Sequence, residues 1–432
     1  MTCLTRLKRV SLLSGVLLLL GGSGALCQTN TRESSAPDRP VRELLALPYA
    51  FYSDTYSLGF GAAIAVAGYG QEQLLSFTTL AGSVNGSLSL FSVVRGARIP
   101  STERLFLDTT VHVDRFTHLK SYVNGNPAFP EEQAGSNGSS PDNYILGRSL
   151  NFQGEAKLRY VLPLGEGRDS PVHTYYLQNG LLKSGATGEG PWNPLRSGRT
   201  YVHAKPFYRR QTFGPHDDPQ ASPTNTNGVQ VAVEHHHEDF ESNPTKGSRQ
   251  RFAVTRDAGL GDSSSAWSAL EGEFTKYISL GPTKRLRQQV LVLDAWTAAA
   301  TAGRPPYHTN AVLGGLDRLR AFSADRFHDQ AAVYYSAEYR MIPYWRPRPD
   351  AGLAKLALGL LNPDWWQTVV FGELGSVSPR WDAALLHKGM KWDAGIGIRV
   401  RTRKVVLRCD SSFGTEGGRL LAGVSFLAGQ PF

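Results

Sequence analysis

Five consecutive residues, Glu234-His235-His236-His237-Glu238, concentrate side chains able to ligate a metal. Imidazole and carboxylate suit zinc and its neighbours, but a site needs three or four ligands converging on one point. On an extended strand successive side chains alternate faces, so His235 and His237 share one side and His236 points to the other. Only two imidazoles can converge, the segment reads as a polar strand end, and neither a metal nor another cofactor is expected. Nucleophile chemistry is equally thin. The sequence has no Gly-x-Ser-x-Gly elbow, and no glycine-rich loop precedes a helix to cradle phosphate. The expectation is therefore a chain that is not an enzyme. A Ser, His and Asp or Asn scattered in sequence could still meet in space, which keeps a barrel-embedded lipid-modifying or proteolytic enzyme open as an alternative.

The N-terminus reads as an export signal. Arg6, Lys8 and Arg9 form a basic region, Val10 to Leu20 an apolar run, and Gly21 to Ala25 a stretch of small residues that a signal peptidase accepts. The apolar run falls short of a spanning helix and ends in glycines, so residues 1–26 are expected to be cleaved. Cys27 leaves a lipoprotein reading open. Without the leader the formal charge of +9 falls to +6, and no Lys/Arg cluster accompanies it, which argues against nucleic acid as a partner. Three cysteines, of which only Cys409 is certain to stay in the mature body, cannot build a disulfide framework.

Beyond the leader the dominant signal is period-two alternation. Leu58, Phe60, Ala62, Ile64 and Val66 alternate with small residues. Leu150, Phe152, Ala156, Leu158, Tyr160 and Leu162 oppose Asn151, Gln153, Glu155, Lys157 and Arg159. Ala331, Val333, Tyr335, Ala337, Tyr339 and Met341 oppose Gln330, Tyr334, Ser336, Glu338 and Arg340. Trp392, Ala394, Ile396, Ile398 and Val400 oppose Asp393, Gly395, Gly397, Arg399 and Arg401. A soluble sandwich also alternates, but its strands are usually about 5–6 residues long. Segments of about 9–11 residues or more, with Glu, Lys and Arg in mid-strand on one face, fit a transmembrane β-barrel with an apolar exterior.

Candidate strands centre near positions 62, 78, 92, 110, 156, 177, 206, 235, 252, 273, 293, 336, 371, 396, 408 and 424. The expected fold is thus all-β: a 16-stranded antiparallel transmembrane barrel. Short turns at Asn85-Gly86, Asn243 to Ser248, Gly281 to Arg285 and Thr402-Arg403 fall after even strands, on the periplasmic side. Long connections at His216 to Asn227, Ala302 to His328 and Pro379 to Gly389 fall on the other side. His118 to Arg148, Asn179 to Gly198 and Tyr344 to Trp365 break this rule, as elaborations or as a slip of one hairpin in the count. Ala351 to Leu361 reads as a short helix. Tyr49, Phe51, Tyr52 and Tyr56, and Tyr344, Trp345, Trp365 and Trp366, fit interfacial girdles. Cys409 alternates with Val405 and Leu407 and should face lipid.

One segment resembles the BamA/TamA-type assembly barrels, also called the bacterial surface antigen family. It runs through Gly314-Gly315, Leu319-Arg320-Ala321-Phe322, Arg326-Phe327-His328-Asp329 and Glu338-Tyr339-Arg340. The resemblance implies that the loop between strands 11 and 12 folds into the lumen, with Arg320 and Phe322 at its tip and Glu338 and Glu373 receiving the guanidinium. Ala321 stands where the family has Gly. Asn243-Pro244-Thr245-Lys246-Gly247, Pro48 to Gly61 and Gly395 to Arg399 resemble other family segments, and the terminal Phe432 resembles the family's assembly signal. The implied organisation is a leader (1–26), a short periplasmic tail (27–47) and the barrel (48–432), without the POTRA domains that family members carry.

The resemblance implies an outer-membrane location and a role in outer-membrane biogenesis, or in insertion or translocation of protein or lipid. A passive pore and a structural surface antigen are the alternatives. Implied partners are outer-membrane lipids including lipopolysaccharide, the barrel assembly machinery during biogenesis, and room for a separate periplasmic protein. The Arg320 cluster reads as a structural latch, with a gating role as the sharper alternative.

Overall fold

The computed structural model describes residues 31–36, 39–53, 55–123, 125–188, 190–215, 222–309, 311–345 and 362–428. The leader, Cys27, the helix expected at Ala351 to Leu361 and the terminal Phe432 lie outside them.

The strands, in chain order, are β1 (Thr31–Ala36), β2 (Arg39–Pro40), β3 (Glu43–Ser53), β4 (Ser57–Ala67), β5 (Leu75–Ser83), β6 (Leu88–Arg98), β7 (Leu105–Ser121), β8 (Ile145–Val161), β9 (His173–Gln178), β10 (Leu181–Ser184), β11 (Arg199–Pro215) and β12 (Ser222–His236). They continue with β13 (Gly247–Asp257), β14 (Trp267–Ser279), β15 (Leu286–Ala302), β16 (Ala311–Leu313), β17 (Phe327–Asp329), β18 (Ala331–Pro343), β19 (Trp365–Ser378), β20 (Lys391–Arg401), β21 (Val406–Glu416) and β22 (Arg419–Ala428). A single helical turn, α1 (Ala383–Leu386), is capped by the Asp382 carboxylate, which accepts from the amides of Ala384 and Leu385. No described helix is long and apolar enough to cross a membrane.

Sixteen of the strands form one antiparallel sheet that follows chain order from β3 to β22, omitting only β9, β10, β16 and β17. Its polarity is inverted relative to a soluble protein. Leu58, Phe60, Ile64, Leu150, Phe252, Ile396 and Ile398 are exposed, whereas Arg159, Arg340, Arg399, Arg408, Glu338 and Asp410 are buried on the opposite face. Exposing apolar side chains while enclosing charged ones is favourable only where the outside is hydrocarbon. The alternation therefore describes a sheet with one greasy outer face and one charged inner face.

The strand count agrees with expectation, but its membership does not. The strand expected near 177 is only the six residues of β9, which turns at Asn179-Gly180, both with positive φ (51° and 69°), into β10. Too short to span, it joins β1, β2 and β10 in a separate four-stranded sheet, with β1 parallel to β9. The missing strand is β3, which places Glu43 to Leu47, read as tail, in the sheet. Its inward Leu45, Leu47 and Tyr49 and outward Leu44, Ala46 and Ala50 are all apolar, so alternation carries no contrast there. Pro48 fits because β3 is an edge strand with one unpaired side.

This exchange moves every connection before β9 to the opposite end. Asn85-Gly86 now shares an end with Thr55, whose carbonyl accepts from Asn85 Nδ2 at 2.7 Å. The long connection between β7 and β8 joins the end that holds the 303–330 and 379–390 loops, and its irregularity disappears. The connections between β8 and β11 and between β18 and β19 remain long excursions at the other end.

The sheet has two unpaired edges among the described residues, β3 and β22. The turn before β21 and the start of that strand, one strand in from β22, overlap the inner face of the opening strands. Val405 and Leu407, at the start of β21, pack with Ala63, Ala65, Ala67 and Phe77 and with Leu45 and Leu47 from the inner face of the opening strands. The Glu43 carboxylate accepts from the amides of Lys404 (2.8 Å) and Val405 (3.2 Å), a clasp made by a side chain and not by a strand ladder.

Candidate functional site

The 303–330 connection between β15 and β18, the eleventh and twelfth strands of the sheet, reaches the inner face of the last strands. The backbone reason lies at its ends. Gly314 and Gly315 adopt φ of +102° and +113°, which L side chains rarely do, and the Gly315 amide donates to the Phe322 carbonyl at 3.1 Å, closing the tip into a compact turn. β16 and β17 pair beneath it as a two-stranded ribbon. Phe322 stacks edge-on to Phe327 at 5.2 Å and packs with Leu313, Leu319 and Val377, so the tip carries its own apolar core.

Arg320 projects from this tip into charge supplied by four strands. Its Nε donates to Glu373 Oε1 (2.8 Å) on β19, one terminal nitrogen to Glu338 Oε1 (3.0 Å) on β18, and the other to Asp410 Oδ2 (2.6 Å) on β21. Its own amide donates to Glu373 Oε2 at 2.9 Å, and the Ala321 amide to Asp393 Oδ2 on β20 at 2.7 Å. The guanidinium lies 3.6 Å from the centre of the Phe371 ring. Arg340 and Arg399 also donate to Glu338, at 2.8 Å each, and Arg408 lies 3.4 Å from Asp410. Four guanidinium groups thus face four carboxylates in a fully buried cluster, with Tyr334 donating to Glu373 at 2.5 Å. Such charges are stable out of water only when paired with one another.

Room for the tip comes from glycines on the inner wall. A Cβ on Gly375 would lie 2.9 Å from Leu313, and one on Gly423 would lie 2.7 Å from the Arg320 carbonyl oxygen. Leucine side chains of the loop therefore rest on β19, and the backbone of the tip rests on β22.

Other expected residues fall around this centre. Arg340 joins it through Glu338. Asp329 does not: its carboxylate accepts from the Gln330 amide at 2.9 Å, at the mouth of the loop. Tyr339 lies on the other face of β18 and donates to Gln289. Ala321, where the family has Gly, makes no demand on backbone freedom, because the positive φ (55°) sits one residue earlier than Arg320, at Leu319. Sequence reasoning missed Asp393 and Asp410 as partners, although both are mid-strand charges on polar faces.

A second loop braces the first. Arg326 pairs with Glu416 (2.6 Å) and donates to the Ser139 carbonyl (2.7 Å), while the His328 amide donates to the Gly135 carbonyl (2.9 Å). Burial pushes the His328 imidazole down to about 4. It is neutral at ordinary pH and adds no charge beside Arg326. At the opposite end, Glu33 on β1 pairs with Arg401 (2.5 Å) and accepts from Ser242 (2.8 Å), and Trp365 donates to the Gly180 carbonyl (3.0 Å). The small sheet of β1, β2, β9 and β10 is thereby fastened to β19, β20 and the turn after β12.

No protein-family model matches the sequence, and no curated protein does. Solved structures do match. CdiB from Escherichia coli aligns with a TM-score of 0.52 at 11% identity, over 90% of this chain and 67% of that one. CdiB from Acinetobacter baumannii aligns with a TM-score of 0.50 at 11% identity, over 90% of this chain, which spans 60% of that protein. BamA from Haemophilus ducreyi lacking POTRA domains 1–3 aligns with a TM-score of 0.48 at 11% identity, over 92% and 74% of the two chains. The fold is similar to that of the two CdiB proteins.

Proposed function

We propose that the chain is an outer-membrane barrel of the BamA/TamA type that inserts or translocates polypeptide through the seam between β3 and β22. The observation that carries this reading is the pair of unpaired edges. A strand edge exposes backbone donors and acceptors that an incoming strand can satisfy, a condition that a barrel sealed by a full ladder lacks. Here β3 is held to the turn before β21, one strand in from the β22 edge, by the Glu43 clasp and an apolar overlap, both separable without breaking a ladder. In this reading the chain performs no covalent chemistry, its leader directs export and is cleaved, and its exterior contacts outer-membrane lipid including lipopolysaccharide. The barrel assembly machinery would insert it, and a separate periplasmic protein would deliver the client.

Loops brace one end of the wall, and a small sheet is fastened to the strands and turn at the other, so the resting state is read as blocked, which sets it apart from a passive pore. The test uses the double variant Glu43→Cys/Lys404→Cys, placed where the two residues already touch. Liposomes holding the reduced variant should accelerate folding of a denatured outer-membrane barrel added as client, and oxidation should abolish the acceleration. Full acceleration with the disulfide formed would overturn the proposal.

A further inference from the structure

The Glu234 to Glu238 segment does something its alternation does not reveal. β12 ends at His236, and the chain turns through residues 237–246 before entering β13. That turn brings Glu238 and Glu241 back against the histidine that alternation sets apart. His236 Nδ1 lies 2.9 Å from Glu238 Oε1 and 3.3 Å from Glu241 Oε1. One ligand atom from each residue lies within 4.8 Å of the other two, and all three residues are buried. A tetrahedral ion with bonds of about 2.0–2.2 Å sets its ligands roughly 3.3–3.6 Å apart, which the 3.3 Å separation meets and the 2.9 Å separation reaches by opening a few tenths of an ångström.

Two further observations point to a ligand. Glu238 Oε2 has no hydrogen-bond partner although its residue is 0% exposed. Outer groups also hold the three side chains in place. Arg249 donates to Glu238 Oε1 at 3.0 Å, His236 Nε2 lies 3.4 Å from Glu234 Oε2, and Thr31 donates to Glu241 Oε2 at 3.5 Å. Partners that orient ligands in this way are the usual surroundings of a bound metal.

We propose that His236, Glu238 and Glu241 bind one divalent first-row transition-metal ion, with Zn2+ the best match to one imidazole and two carboxylates and water completing the shell. The ion takes the place of the proton on Nδ1, which leaves to solvent. Thr31 belongs to β1, and Ser242, next to Glu241, donates to Glu33 of the same strand. The ion therefore clamps the turn after β12 to the small sheet at that end of the wall. The proposal is independent of the insertion reading.

The test refolds the full chain in detergent, strips it with chelator, titrates it with Zn2+ and measures retained metal by mass spectrometry after desalting. Wild type should keep one Zn2+ per chain and show slower proteolysis at the N-terminal strand when loaded. His236→Ala and Glu241→Gln should each lose the ion, whereas the double variant His235→Ala/His237→Ala should keep it. Folding of each variant is checked by heat-modifiable mobility. Failure of wild type to retain one equivalent, or loss of the ion in the His235/His237 variant, would overturn the proposal, and the wild-type result holds even if a variant does not fold.

Discussion

Arg320 and Asp410 meet at 2.6 Å although they are ninety positions apart, and the bond ties the in-folded loop to the strand next to the open edge at β22. The loop is thus attached to the part of the wall that must move if the proposed seam opens. Through Glu338 and Glu373 the same guanidinium holds β18 and β19, so loop position and seam geometry are coupled through one side chain.

Replacing Arg320 with Ala leaves Glu373 and Asp410 buried without their central cation. Breaking a buried ion pair on one side costs about 3–5 kcal/mol. The heat-modifiable form should unfold at lower temperature, and conductance in planar bilayers should rise as the tip leaves the lumen. Arg320→Lys should rescue poorly, because an ammonium cannot fork to three carboxylates in one plane.

Gly423→Val tests whether the tip rests on the last strand. A side chain there would collide with the Arg320 carbonyl, and forced overpacking costs about 1–3 kcal/mol. The expected outcome is a displaced loop, read as faster proteolysis between Gly314 and Arg326. Unchanged cleavage would mean that the loop does not sit where β22 can touch it.

Much of this was legible in the sequence, and the parts that were not share physical causes. Mid-strand charge against hydrocarbon made β8, β18 and β20 readable, and the same contrast set Glu338 and Arg340 facing inward. β3 escaped notice because Leu45 and Leu47 pack under β21 while Leu44 faces out, so both faces are apolar. β9 passed for a wall strand because Tyr175 and Leu177 alternate with polar residues as wall strands do, but they pack on Phe240 beneath the small sheet. Asp410 and Glu241 could not be assigned, since each meets its partner through a loop or turn whose path no local pattern encodes.

Ile396→Arg probes the exterior. Ile396 is 65% exposed in the middle of β20, beside the buried Gly397. An arginine at the mid-plane of a lipid-facing barrel wall costs about 2–4 kcal/mol. Folding efficiency into lipid vesicles should fall, whereas the same substitution in a soluble sandwich surface would leave stability nearly unchanged. Urea titration of the vesicle-embedded form distinguishes the two outcomes.

The attachment of β1 can be tested at Glu33. Its carboxylate neutralises Arg401 at 2.5 Å and accepts from Ser242 at 2.8 Å, so Glu33→Ala removes both bonds and leaves Arg401 with the Arg403 carbonyl (2.9 Å) and a longer contact to Asp364 (3.8 Å). Losing charge-assisted hydrogen bonds of this kind costs about 1–3 kcal/mol, enough to free a short strand whose ladder to β9 covers only Thr31 to Ser34. The β9–β10 hairpin keeps its own ladder and its contact through Trp365, so the wall itself should retain its unfolding temperature. The expected result is selective: rapid protease cleavage ahead of Glu43 and higher conductance in planar bilayers, with heat-modifiable mobility unchanged. Cleavage and conductance both at wild-type levels would show that the small sheet is held by its apolar contacts on Phe240 and Trp365 and that the Glu33 pair is incidental.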